Sequence, residues 1–223
     1  MNEAWIEVPV KGGSMAAFRV GAGERAIVML QEVFGVNPAM QDKARKFAAL
    51  GYTVLVPDLF WRMQPRVSLG YAGKDRERAF ELFGKFDFAA GIADIAATAR
   101  SLKSEQVAVM GFCLGGKLAV ASTAAYPFRA VASLYGVKLE ADKERLKAID
   151  VPLQIHVGDK DAHVPMEAVE QIKDALKGKP NAEVFVYPGA QHGFFNAARA
   201  EVYSPDAANQ AQVRIVGMLK KAL

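Results

Sequence analysis

Apolar and polar positions along the chain fall into two alternating patterns. Short apolar, β-rich runs occur at Ile6–Val10, Ala16–Val20, Ala26–Leu30, Thr53–Pro57, Val107–Met110, Val131–Tyr135, Leu153–Val157 and Val184–Tyr187. From the third run onward they are separated by helix-length amphipathic segments. Runs such as Ala26-Ile27-Val28-Met29-Leu30 are apolar at every position, as expected of strands covered on both faces. The first two runs alternate more and lie close together, which predicts an antiparallel pair on one edge. Helix boundaries are marked by local chemistry. Asn37-Pro38 supplies a cap and a first-turn proline, and Gly51 closes that helix. Pro165 opens another, with Met166, Val169, Ile172, Ala175 and Leu176 on one face. Ser204-Pro205-Asp206 begins a last helix whose Lys220 and Lys221 suit the negative end of its dipole. The stretch from Trp61 to Lys85 is the least regular. With no repeat and no linker, the pattern predicts one α/β domain over residues 1–223. Its mostly parallel central sheet has about eight strands, covered by helices on both faces.

Composition narrows the class. At 223 residues, 52% hydrophobic and 23% charged, the chain is long enough for one large core and far from disordered or low-complexity sequences. No apolar run approaches the roughly 18 residues of a membrane span. The first residues, Met1-Asn2-Glu3-Ala4-Trp5, show neither the basic nor the apolar region of a signal peptide, so a cytoplasmic location is expected. The net charge of +4 is spread among acids, as in Asp42-Lys43-Ala44-Arg45-Lys46. That argues against nucleic acid and for a solvated surface mildly favourable to small anions. A single cysteine, Cys113, excludes an internal disulfide and a multi-cysteine metal site. No cofactor and no metal is expected, and a monomer is the default because one core suffices.

Cys113 lies in a suggestive context. The strand Val107–Met110 runs into Gly111-Phe112-Cys113-Leu114-Gly115-Gly116 and then into a helix of small residues. Strand, Gly-x-nucleophile-x-Gly, helix is the pattern of a nucleophile elbow, in which the central residue takes a strained backbone and its flanking glycines clear strand and helix. The helix start then directs N–H groups toward the sulfur and favours a thiolate. In this fold class an acid and a histidine follow on loops after later strands. Leu153–Val157 runs into Gly158-Asp159-Lys160-Asp161, and Val184–Tyr187 into Pro188-Gly189-Ala190-Gln191-His192-Gly193-Phe194. Of the three histidines, His156 lies inside a strand and His163 at a helix start, which leaves His192 as the base. Either Asp159 or Asp161 fits as the acid; the Gly158-x-x-Asp161 spacing, which reaches past the strand end, favours Asp161.

A thiolate attacks well but is also readily expelled, so a cysteine at an esterase elbow suits substrates with good leaving groups, such as enol lactones, aryl esters and thioesters. The turn after the third run, Leu30-Gln31-Glu32-Val33-Phe34-Gly35, occupies the loop that supplies one oxyanion donor in this fold. Val33 and Leu114 are the candidate N–H groups, and Glu32 is a second acid that could hold or deprotonate the thiol.

These landmarks, with Pro57-Asp58-Leu59-Phe60-Trp61-Arg62 and Phe86-Asp87 through Asp94, make the chain resemble the dienelactone hydrolase (carboxymethylenebutenolidase) family of α/β hydrolases over nearly its whole length. The resemblance implies opening of a five-membered enol lactone bearing a carboxylate, to maleylacetate, in chloroaromatic degradation. It assigns Cys113 as a nucleophile resting as a neutral thiol turned toward Glu32. Arg62 would pair with the substrate carboxylate, so that Glu32 takes the thiol proton. Val33 and Leu114 would hold the oxyanion, while His192, oriented by Asp161, would assist hydrolysis of the acyl-enzyme. Trp61, Tyr71 and Tyr135 are further candidate pocket residues. One departure stands out. The family's dienelactone enzymes carry a second carboxylate-binding arginine four residues after the histidine, where this chain has Asn196; Arg199 lies three residues further on. The alternatives are therefore a broader cysteine hydrolase of activated esters or thioesters and, more remotely, a noncatalytic thiol sensor or binding protein.

Overall fold

The polypeptide turns back on itself at once: β1 (Glu3–Val10) and β2 (Gly13–Val20) pair antiparallel around Lys11-Gly12. Gly12 takes φ +90°, a backbone conformation that glycine adopts without the strain of a side chain. The computed structural model describes residues 2–223, and these form two compact units that divide between Val107 and Ala108. In the first unit, β3 (Ala26–Leu30) and β4 (Thr53–Pro57) are buried at every position and pair parallel. The strand order there is β1-β2-β4-β3, with β2 antiparallel to β4. The expected antiparallel pair is thus seen. Helix α1 (Pro38–Ala48) starts as read, with Asn37 Oδ1 accepting the Met40 N–H. Two more helices follow, α2 (Gly73–Gly84) and α3 (Phe88–Ser101).

Helix α2 lies in the stretch that reads as least regular. Only Ala79 and Leu82 of its twelve residues are buried, so it carries almost no apolar stripe for a periodicity argument to detect. Earlier in the chain, Asp58 is fully buried and organises the loop after β4, accepting the N–H groups of Phe60 and Arg66. Burial pushes Asp58 up to about 6, against the opposing pull of those hydrogen bonds and of the Arg66 charge.

The second unit is a regular β/α alternation. The strands β5 (Val107–Phe112), β6 (Val131–Leu134), β7 (Leu153–Gly158) and β8 (Ala182–Tyr187) follow one another in space, all parallel. Between and after them come α4 (Leu114–Ser122), the short α5 (Lys143–Ala148), α6 (Met166–Ala175) and α7 (Pro205–Ala222). Val131 to Leu134 and Leu153 to Gly158 are buried throughout, because parallel strands joined by helical crossovers have both faces covered. Tyr135, read as the last residue of its strand, lies just beyond it at φ 41°.

Candidate active site

Between β5 and α4 the chain reverses at one residue. Cys113 has φ 56° and ψ −113°, a conformation that costs an L-residue strain and is held by the elements on either side. Its N–H donates to Leu134 O at 3.0 Å, and its carbonyl accepts the Lys117 N–H at 3.2 Å. The need for glycine is steric. A Cβ on Gly111 would stand 2.0 Å from the Gly115 carbonyl oxygen, and one on Gly116 would stand 2.7 Å from Gly136 Cα. The half-buried Cys113 side chain is thereby presented at the carboxyl end of β5, over the N-terminus of α4.

The histidine loop is drawn to the same edge by an equally tight approach. A Cβ on Gly158, the last residue of β7, would lie 2.1 Å from Ala190 O, so the chain leaving β7 runs against the loop leaving β8. His192 Nδ1 lies 2.8 Å from Asp161 Oδ2. The other oxygen, Asp161 Oδ1, accepts the N–H groups of His163 at 2.8 Å and Val164 at 3.1 Å. Both carboxylate oxygens are thus occupied, and the side chain is fully buried. Asp159, the other candidate, does something different. Its Oδ1 accepts the Gly189 N–H at 2.7 Å and so shapes the histidine loop. The His192 side chain, 14% exposed, is also hydrogen-bonded to Cys113. Burial alone would keep the imidazole uncharged. Hydrogen bonds to Asp161 and Cys113, and attraction to both, outweigh it and push His192 up to about 10.

Two aromatic rings pack on that imidazole. Buried Tyr135 meets it edge-on at 5.0 Å between centroids, and exposed His163 does so at 4.7 Å. Tyr135 is fixed by its N–H to His156 O at 2.7 Å and by contacts with Phe112 and Phe194. His163 is the neighbour that sequence reasoning set aside. It lies in the turn before α6 rather than in the helix, and the available signal was its position two residues after Asp161.

The remaining candidates have defined places. Leu114 is the first residue of α4, directly after Cys113. Asn196 is fully buried, with its N–H on Gly193 O at 2.8 Å and its Oδ1 accepting the Ala198 N–H, which makes it a turn-forming residue. Arg199 bonds Glu201 Oε1 at 3.0 Å, and its Nη1 lies 3.1 Å from where a Gly193 Cβ would be, beside the histidine loop. In the first unit Glu32 and Val33 are buried. Their loop is held by Gln31, whose Oε1 accepts the Leu59 N–H, and by the Val36 N–H to Val67 O. A Cβ on Gly35 would lie 2.1 Å from Val67 O, which explains the glycine. Tyr71 stacks edge-on with Phe34, and its hydroxyl accepts from Asn37 Nδ2 at 3.1 Å. Arg62 pairs through both terminal nitrogens with buried Asp94, donates to Lys11 O and covers the Trp61 ring at 4.4 Å; Trp61 Nε1 joins the same carboxylate at 3.0 Å.

The fold and the strand-end elbow define an α/β hydrolase. A solved Klebsiella pneumoniae structure provisionally named a dienelactone hydrolase superposes with a TM-score of 0.84 over 98% of both chains, at 24% identity. The family profile described as Dienelactone hydrolase family matches residues 14–223, and the chain belongs to that family. It is 35% identical to a protein of Azospirillum brasilense provisionally named carboxymethylenebutenolidase, over 98% of each chain. It is also 33% identical to the carboxymethylenebutenolidase of Pseudomonas sp. strain P51, over 97% of this chain and 94% of that one. The protein is therefore a dienelactone hydrolase-type enzyme, a hydrolase of ester or lactone bonds. None of its helices is long and apolar enough to cross a membrane, among the described residues.

Proposed function

We propose that the enzyme opens an activated lactone or ester bearing a carboxylate, of the enol-lactone kind, through a Cys113–His192–Asp161 triad and an acyl-enzyme. The observation that carries this reading is the chain of contacts from Asp161 Oδ2 through the His192 imidazole to the Cys113 side chain, at an elbow whose backbone is held at φ 56°. In the proposed sequence Glu32 takes the thiol proton, and Cys113 Sγ forms a bond to the lactone carbonyl carbon. The N–H groups of Val33 and Leu114 stabilise the oxyanion. As the ring C–O bond breaks, the departing enolate takes a proton from His192, whose charged form the Asp161 hydrogen bond favours. Water then attacks the thioester and gives its proton to His192. The C–S bond breaks and Glu32 returns the first proton to sulfur. The parts assigned to Glu32 and Val33 rest on the Gln31-Glu32-Val33-Phe34-Gly35 pattern and on the burial of both residues.

A broader preference for activated esters is the second reading, and the arginines favour it. The position of the family's second arginine is a buried asparagine, and the Arg62 guanidinium is already committed to Asp94. The deciding experiment compares a carboxylate-bearing dienelactone with para-nitrophenyl acetate across a salt series. Preference for the dienelactone that weakens with salt and in R199A supports an anion site beside the histidine loop. Equal turnover of the neutral ester, indifferent to salt, supports the broader hydrolase. Full activity in C113A would remove the cysteine mechanism from both readings. A cytoplasmic monomer acting on a small molecule completes the proposal; sedimentation velocity tests the oligomeric state.

A further inference from the structure

The imidazole of His192 has two kinds of support. In its plane it is tethered to Asp161 and Cys113. Against its ring lie Tyr135 and His163, each in an edge-on contact. Tyr135 belongs to the core: it is fully buried, takes a left-handed φ, and packs on Phe112 and Phe194. His163 differs. It is exposed, it follows Asp161 by two residues, and its own N–H is one of the two donors to Asp161 Oδ1. One turn thus fixes both the carboxylate that orients His192 and the ring that flanks it.

We propose that His163 is a positioning residue for the triad: its ring limits rotation of the His192 imidazole and holds it in line between Asp161 and Cys113. A histidine that delivers a proton to a departing enolate and later collects one from water must keep that alignment through both half-reactions. Two tethers in the ring plane do not prevent tilting about the line joining them, and a flanking ring does. The packing geometry has the spacing at which paired aromatic rings attract edge to face. Because His163 is exposed, replacing its side chain is expected to leave the fold intact, so that its contribution is read on the reaction. This inference rests on the triad reading above.

The test uses H163A and H163F, with C113A as the reference for the triad, in full-length protein with para-nitrophenyl acetate as the probe. H163A removes the ring but keeps the backbone donor to Asp161; H163F keeps an aromatic ring in its place. Small misplacements of a catalytic group cost up to about 100-fold, so H163A is expected to lose about 10-fold in kcat with KM within about twofold. H163F is expected to recover to within about threefold of the parent, with the melting temperature of both variants unchanged. This split between kcat and KM, with rescue by a ring, is not the behaviour of a residue that only stabilises the turn. An H163A enzyme at the parental rate beside an inactive C113A overturns the positioning role alone. Equal losses in H163A and H163F also overturn it, because the ring would then not be what matters. A fully active C113A overturns the triad and this proposal together.

Discussion

His156 and His192 belong to neighbouring stretches of the same unit and are both shielded from water, yet their chemistry is opposite. His156 lies inside β7, fully buried, stacked on Phe185 at 5.2 Å with Nδ1 2.8 Å from the Tyr187 hydroxyl. Burial pushes it down to about 3, and the nearby Arg214 charge adds to the effect. That guanidinium covers the Phe185 and Tyr187 rings. Burial opposes charge at His192 as well, but there a carboxylate and a thiol face the ring and reverse the outcome, to about 10. Desolvation is common to the two residues, and the neighbours decide the protonation state. A histidine among aromatic rings and a cation is a packing element. One between a carboxylate and a cysteine sulfur has partners between which a proton can move.

The comparison can be broken most sharply at the site itself. If the proposed triad holds, C113A and H192A are each expected to lose at least about 1,000-fold in kcat, since such groups fail as a unit, whereas H156F should stay within about twofold of the parent. Steady-state hydrolysis on the three proteins checks this, and a large loss in H156F would end the division between the packing histidine and the proposed base. D161N is expected to cost about 100- to 10,000-fold, because an amide at Oδ2 no longer holds the His192 tautomer. D159N alters a carboxylate that braces the histidine loop through the Gly189 N–H, and it should cost far less. A reversal of those two effects would move the acid to Asp159.

Smaller effects sharpen it through pH. His192 is raised on folding, so its contribution to stability is complete below its ordinary value near 6.5 and is lost as pH rises through about 10. His156 is lowered, so its contribution is present above about 6.5 and is lost as pH falls from there toward about 3. Urea midpoints measured from pH 4 to 10 should therefore show H192A flattening the alkaline side and H156F the acid side. Asp58, raised like His192, contributes stability that is lost as pH rises from its ordinary range through about 6, opposite in sign to His156, but it cancels when each variant is compared with its parent. Identical pH slopes in parent and variants would show that partner charges do not control the two rings. R62A offers a last contrast in the first unit. Loss of the guanidinium leaves buried Asp94 with the Trp61 N–H, so a loss of about 1–3 kcal/mol in stability is expected. A raised KM for the dienelactone with unchanged stability would instead place Arg62 on the substrate.

Much of the architecture was legible from local pattern. Continuous apolar runs marked the parallel strands, and Asn37-Pro38 marked the start of α1, because strand burial and helix capping are decided within a few residues. Helix α2 was not legible, since two buried residues in twelve leave no period to read. The elbow was visible because its steric demand for glycine leaves a fixed spelling around Cys113. The commitment of Arg62 to Asp94 was not, since thirty-two residues separate the partners and either could pass for a surface charge.

The sequence by itself determined the chain order of Cys113, the acidic loop and His192, the strand-ending turns that carry them, and the membership of a family whose model matches residues 14–223. Tertiary structure decided which aspartate meets the imidazole and which histidine flanks it. It also decided that Asn196 closes a turn and that two shielded histidines are drawn to opposite ends of the pH scale. The physical reason is range. Backbone sterics and hydrophobic periodicity act over a few neighbouring residues and are written in the sequence as spacing. Desolvation and charge pairing act across space and depend on which distant side chains the fold brings within a few ångströms.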